Sequence, residues 1–326
     1  MLLLSLLFAL AWAEDVPVAP EPPAAEPAPP APGPPAPEPP QDLAERPFVP
    51  APPHDPLSAE FGVIFFGDSG SGNRAQTIVA RRIQEFCAVE RCDAGVLLGD
   101  NFYPHGVASA DDPLWTTRFL EPYGALGFPF YPSLGNHDYA GTPEAQVGWT
   151  VPTGTPSTWN MPARRYTWTL GPITFLALDT NDVDGPALGW LRRNIAIADT
   201  DWVIAYGHHP LWSGGPHGDT AELAPWQTVL LRADVFLSGH DHHQQVISRP
   251  GLVQVIMGSG GAGLRPVLPV EGAQFTRAGF GFGYLYLVGD TMHVVIVDED
   301  GAVREHLSWR KADIAAGVGV RPGQGP

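Results

Sequence analysis

At 326 residues and 44% apolar composition, the chain is long enough to bury one large or two small globular cores. Its 18 basic residues against 35 acidic ones leave a formal charge of −17, which excludes the Lys/Arg footprint that nucleic acid or an anionic membrane surface needs. A small anionic substrate would have to be attracted by bound cations.

Residues 1–13, MLLLSLLFALAWA, form an apolar run that ends in the small-x-small pattern Ala11-Trp12-Ala13 before Glu14 and Asp15. The run is too short to span a bilayer and reads as a cleaved export signal, so the mature protein is expected to be periplasmic, cell-surface or secreted. Residues 14–57 follow as a Pro/Ala/Glu-rich spacer holding 18 of the 37 prolines, a composition that favours polyproline-II chain over a core and predicts a disordered linker.

From Leu57 the pattern changes to short β-rich apolar runs: 63–66, 95–98, 128–134, 173–178, 202–206, 235–237 and 253–257. Helical stretches at 74–86, 114–123, 187–198 and 221–231 separate several of them, predicting an α/β domain over 58–310 with mostly parallel strands. Runs at 283–288, 292–297 and 302–308 read as antiparallel strands, so two mixed sheets are expected. The Gly- and Pro-containing tail from Lys311 to Pro326 reads as loose. The two cysteines, Cys87 and Cys92, either close one small loop or sit as buried thiols at a helix end.

Chemistry-bearing residues fall repeatedly just after the apolar runs: Gly67-Asp68, Gly99-Asp100-Asn101-Phe102-Tyr103, Gly135-Asn136-His137-Asp138, Gly207-His208-His209 and Gly239-His240-Asp241-His242-His243. Loops at the carboxyl ends of strands in an open α/β sheet converge on one crevice, which would merge these clusters into a single site. Any one of them is weak evidence, because a Gly-Asp is usually a turn and a His pair is usually hydrogen-bonded structure. Together they supply the oxygen and nitrogen inventory of a dinuclear transition-metal site.

In this order the blocks resemble the calcineurin-like metallophosphoesterases. Asp68-Ser69-Gly70 stands where most of that superfamily has Asp-x-His, and Tyr103 follows Asp100 by three residues, an exchange that resembles the low-molecular-weight, tartrate-resistant purple acid phosphatases. The resemblance runs over about residues 61–263, Trp212 and His217 included. It implies a four-layer αββα sandwich of two mixed sheets flanked by helices. It also implies an iron(III) on Asp68, Tyr103 and His242, with Asp100 shared with a second metal on Asn136, His208 and His240. That second ion would be iron(II) or zinc(II), with manganese(II) also admitted. His137 and His217 would then face substrate, one toward a phosphate oxygen and the other toward the leaving oxygen, unless they only support the ligating loops.

The implied activity is hydrolysis of a small phosphate monoester by a metal-bound hydroxide at mildly acidic pH, in a monomer with no membrane span after signal removal. A phosphodiesterase or nucleotidase would use the same site, and an exported binding module with little catalysis is the reading from another class. His209 and His243 depart from animal members of the family, which more often carry Tyr and Asn there. The short segment 180–187 replaces a long loop whose cutting activates those relatives, so no proteolytic switch is expected.

Two motifs are decoys. Gly67-Asp68-Ser69-Gly70 matches the peptide around a serine-protease nucleophile but lacks an all-β context. Gly258–Gly263 has dinucleotide-binding spacing, but Pro266 and Pro269 interrupt the helix that should follow, which predicts a tight loop at the cleft.

Overall fold

The computed structural model describes residues 60–322; the expected signal, the Pro-rich spacer and residues 323–326 lie outside them. The strands in chain order are β1 (Gly62–Phe66), β2 (Ala94–Leu98), β3 (Pro129–Ser133), β4 (Thr158–Trp159), β5 (Tyr166–Leu170), β6 (Ile173–Ala177) and β7 (Trp202–Tyr206). They continue with β8 (Val235–Ser238), β9 (Gln244–Arg249), β10 (Leu252–Met257), β11 (Ala273–Arg277), β12 (Gly281–Val288), β13 (Thr291–Asp298) and β14 (Val303–Trp309).

These strands form two sheets of seven, ordered β14-β13-β12-β1-β2-β3-β4 and β11-β9-β10-β8-β7-β6-β5. In the first sheet β1, β2, β3 and β4 run parallel, and β12 joins β1 antiparallel. In the second, β6, β7, β8 and β10 run parallel, bordered by antiparallel β5 and β9. Strands β1, β2, β6 and β7 are buried along their whole length, as parallel strands covered on both faces must be.

Period-two alternation builds the layers. Ile173, Phe175 and Ala177 of β6 join the core shared with Phe65, Val96 and Tyr284 of the other sheet, while Leu176 and the following Leu178 face a second core. That second core is closed by α4 (Gly185–Ile197), through Ala187, Leu191 and Ile195, and by α5 (Ala224–Leu230), through Trp226 and Leu230. The spacing of Ala187, Leu191 and Ile195 is the i, i+4, i+8 stripe of one helical face. Truncating fully buried Trp226 to Ala would cost about 3–5 kcal/mol.

Helix α1 (Arg74–Cys87) covers the first sheet, with Phe86 edge-on to Tyr284 at a centroid distance of 4.9 Å. It begins at Asn73, whose side chain accepts from the Gln76 amide at 3.0 Å. Asp184 caps α4 in the same way, accepting from the Ala187 amide at 2.7 Å. Because of this cap α4 starts earlier than its apolar periodicity suggests. Helix, sheet, sheet and helix make the four layers expected from the family resemblance.

Several local expectations are corrected. The described part of the tail, residues 311–322, is not loose: Lys311–Ala316 form a helix, α6, that buries Ile314, and Val320 bridges back to Ser308. Its Asp313 accepts from the Arg310 amide at 2.8 Å, and Gly317 closes the helix at φ 71°. Segment 114–123 is a π-helical turn over Trp115–Leu120 running into the one-turn α2 (Glu121–Tyr123). Cys87 and Cys92 are joined as a disulfide. Strands β4, β5, β9 and β11 have no counterpart among the predicted runs. In β9 the polar Gln244 and Gln245 are buried, because Gln245 bonds the Leu268 carbonyl at 3.0 Å and Gln244 reaches Ser259 at 3.3 Å. Residues 258–263 form a loop with no helix after it, as Pro266 and Pro269 predict.

Candidate metal centre

Every residue of the expected ligand set lies just beyond the carboxyl end of a strand. Asp68 follows β1, Asp100 and Tyr103 follow β2, and Asn136 opens the one-turn helix α3 (Asn136–Tyr139) after β3. His208 follows β7, while His240 and His242 lie between β8 and β9. Both sheets deliver these ends to one edge, so residues up to 174 positions apart in the chain converge.

Two groups of donor atoms result. In the first, the Tyr103 phenol lies 3.0 Å from Asp68 Oδ1, 2.8 Å from Asp100 Oδ2 and 3.3 Å from His242 Nε2. In the second, Asn136 Oδ1 lies 3.0 Å from His208 Nε2 and 3.1 Å from His240 Nδ1, and those two nitrogens are 3.2 Å apart. Asp100 Oδ2 joins the groups, being also 3.4 Å from His208 Nε2.

The tautomers follow from the partners. His208 Nδ1 lies 2.9 Å from the Leu98 carbonyl and His242 Nδ1 lies 2.7 Å from the Gly263 carbonyl. A carbonyl only accepts, so each ring donates from Nδ1 and in its neutral form aims a bare Nε2 lone pair at the cluster. Two carboxylates, a phenol, an amide oxygen and imidazole lone pairs packed this closely have too few protons to satisfy one another, and this donor set fits a pair of cations.

Titration behaviour reports the same demand for positive charge. Burial works against a charged His208, yet Asp100 and Asp68 hold its pKa up at about 10. Burial alone would raise the Asp100 carboxyl, but His208 and His137 outweigh it and hold it below the usual carboxylate range. Tyr103 is pushed up by burial and by both carboxylates. His240 is pushed down by burial and by His208 and His209.

Backbone strain is concentrated here. Among the described residues the non-glycine positions with positive φ are Asp68 at 56°, Asp100 at 51° and His240 at 69°, all of them in the donor set. Such conformations cost about 1–3 kcal/mol each and persist where surrounding structure enforces them for function. The glycines provide the clearance. A Cβ on Gly135 would lie 2.1 Å from Asp100 Oδ1, and one on Gly239 would lie 2.5 Å from Asp68 Oδ2.

The expected substrate-facing residues sit at the rim. His137 lies tilted against Tyr103 with ring centroids 4.4 Å apart, places Nδ1 2.6 Å from the Pro104 carbonyl and holds Nε2 4.0 Å from Asp100 Oδ2. His217 is exposed, lies against the His240 ring at 4.3 Å and accepts at Nε2 from the Arg265 guanidinium.

Three supporting residues escaped the sequence reading. Buried Asp138 accepts from the amides of Gly135 at 2.8 Å, Asn101 at 3.1 Å and Phe102 at 3.2 Å, and from Gln146 at 2.9 Å. Burial and neighbouring Asp100 hold its carboxyl up at about 7. Asp241 accepts from Ser213 Oγ and from the His217 amide at 3.3 Å, fixing the loop that carries His217. Thr180 contacts His208 and His209 and carries no sequence signal at all. Asp138 and Asp241 did carry one, since each sits inside a ligand-bearing block.

A family model described as Calcineurin-like phosphoesterase matches residues 61–244. The chain is 29% identical over 289 residues to purple acid phosphatase 7 of Arabidopsis thaliana, covering 77% of this chain and 87% of that protein. It is also 29% identical over 214 residues to tartrate-resistant acid phosphatase type 5 of Rattus norvegicus, covering 56% of this chain and 64% of that protein. Among solved structures, GAP50, the anchor in the inner membrane complex of Plasmodium, is similar in fold with a TM-score of 0.71 at 22% identity, covering 82% of this chain and 99% of that one.

Proposed function

The chain belongs to the calcineurin-like phosphoesterase family, a family of hydrolases with purple acid phosphatases among this chain's relatives, and from that premise we propose that it hydrolyses phosphate monoesters at a dinuclear centre at mildly acidic pH. Asp68, Tyr103 and His242 would hold an iron(III), because a phenolate and a carboxylate are hard anionic donors. Asn136, His208 and His240, neutral donors, would hold iron(II), zinc(II) or manganese(II). The observation that carries this reading is the position of Asp100 Oδ2, 2.8 Å from the Tyr103 phenol and 3.4 Å from His208 Nε2, where one carboxylate belongs to both groups.

When bound, the two ions supply Lewis acidity toward phosphoryl oxygens and lower the pKa of a water from about 15.7 to around 7. The protein's own groups do the rest. The His137 amide donates to Asp100 Oδ1 at 2.9 Å, which holds that carboxylate in place. His137 and Arg265, with His217, line the rim where a phosphoryl group and its leaving oxygen would lie. Among the described residues no helix is long and apolar enough to cross a membrane. We assign residues 1–13 as an export signal and 14–57 as a linker, and take the protein to act as an exported monomer.

Metal analysis with a visible spectrum, followed by phosphate release between about pH 4 and 8, tests this reading. Two metals per chain, a visible charge-transfer band and acid-optimal hydrolysis of a monoester over a bis-aryl diester are expected. Asp100→Ala should lose nearly all turnover. Wild-type turnover in that variant would misplace the site, and a metal-loaded protein that hydrolyses neither ester would instead favour a binding module.

A further inference from the structure

His209 is not in the expected ligand set, yet its ring lies 4.5 Å from that of His240 and 5.0 Å from that of His208, on the wall of the second donor group. Its tautomer is decided by Thr180. The Thr180 hydroxyl oxygen accepts from two backbone amides, His208 at 3.1 Å and His209 at 3.0 Å. It also lies 2.8 Å from His209 Nδ1. Both amides are donors, so the hydroxyl's single proton is left for Nδ1. His209 therefore accepts at Nδ1, and as a neutral ring it carries its proton on Nε2. His208 is fully buried but His209 is only partly so, and one of its ring nitrogens lies within 4.8 Å of ring nitrogens of His208 and His240.

We propose that His209 is a substrate-contacting residue: an Nε2–H donor, preset by Thr180, that hydrogen-bonds an oxygen of a bound phosphoryl group beside the second metal position. This deepens the phosphatase reading and rests on it. His209 and His217 both lie against His240, and the roles separate by tautomer: His217 accepts at Nε2 from Arg265, whereas His209 has a proton to offer.

Two isosteric substitutions separate the ring nitrogens. His209→Gln can place its NH2 donor where Nε2 stood, while His209→Asn can set its amide oxygen near Thr180 but is too short for its NH2 to reach the Nε2 position. Each variant would be purified with its metals, analysed for metal content and secondary structure, and titrated with inorganic phosphate, alongside steady-state kinetics on a monoester. The expected result is full metal content in both, phosphate affinity weakened roughly tenfold to a hundredfold in His209→Asn, the scale of one hydrogen bond to a charged group, and recovery to within about threefold of wild type in His209→Gln. Equal phosphate affinity in all three proteins would overturn the assignment. Loss of metal in His209→Asn would overturn it too, by making His209 a ligand. A wild-type protein that neither binds phosphate nor hydrolyses the monoester would refute the phosphatase reading itself.

Discussion

The phenol oxygen of Tyr103 stands 2.8 Å from Asp100 Oδ2, three positions earlier in the chain, so the turn after β2 delivers two donor atoms to one point. The left-handed backbone at Asp100, φ 51°, makes this close return achievable. Tyr103→Phe removes the phenol hydroxyl and leaves the ring packed against His137. The visible charge-transfer band should disappear and turnover should fall by more than the roughly 10–100-fold typical of losing a residue that merely supports a ligand. Survival of the band in the purified variant would show that Tyr103 does not bind the iron.

Asp138 ties the loop after β2 to the start of α3, and five donors converge on its buried carboxyl: the amides of Gly135, Asn101 and Phe102 and the side-chain amides of Asn101 and Gln146. Asp138→Ala leaves them facing a cavity, at about 1–3 kcal/mol for each that finds no water. Urea unfolding should show a loss of at least about 3 kcal/mol, with a parallel fall in metal content as Asp100 and Asn136 lose their mutual registration. A variant as stable as wild type would mean that water substitutes for the carboxylate.

Acid should destabilise the protein in part through His243. Burial pushes this imidazole down to about 4, against the pull of Asp241, whereas in the unfolded chain an imidazole titrates near 6.5. Between those values the unfolded chain takes up a proton that the folded protein refuses, so stability falls as pH drops through the window and is untouched above it. Replacing His243 with Asn removes the titration. The loss of unfolding free energy between pH 7 and 4.5 should shrink by on the order of 2–3 kcal/mol in the variant. Identical losses in both proteins would show that His243 is protonated in the fold.

The segment 180–187 is held at both ends. Asn181 donates to the Leu134 carbonyl at 3.0 Å, Arg165 pairs with Asp182 at 3.0 Å, and Asp184 caps α4 at 2.7 Å. Limited digestion with subtilisin should leave this segment intact while the protein is folded, and turnover should not rise. Early cleavage there accompanied by faster phosphate release would reveal the switch that its short length argues against.

Parallel strands buried on both faces must be apolar along their length, which is why β1, β2, β6 and β7 stand out in the residues alone to within a position or two. The ligand set is legible for a related reason: loops at the carboxyl ends of parallel strands meet at one edge, so Gly-Asp, Gly-Asn-His-Asp and Gly-His-Asp-His blocks after such strands can be read as one site before any contact is seen. Short or polar strands carry no such mark. The two-residue β4 is below the length of any periodicity, and β9 hides its buried face behind Gln244 and Gln245, whose amides are satisfied by residues more than ten positions away.

The order of chemical groups along the chain thus determines which residue types reach the edge. Their protonation and their duties depend on partners that sequence distance conceals. His209 gains its outward proton only because Thr180, 29 positions earlier, is already saturated by two amides, and Asp138 becomes a tie only because Asn101, Phe102 and Gln146 fold around it. A hydrogen bond is set by where donors and acceptors meet in space, and that meeting exists only once the two sheets have packed.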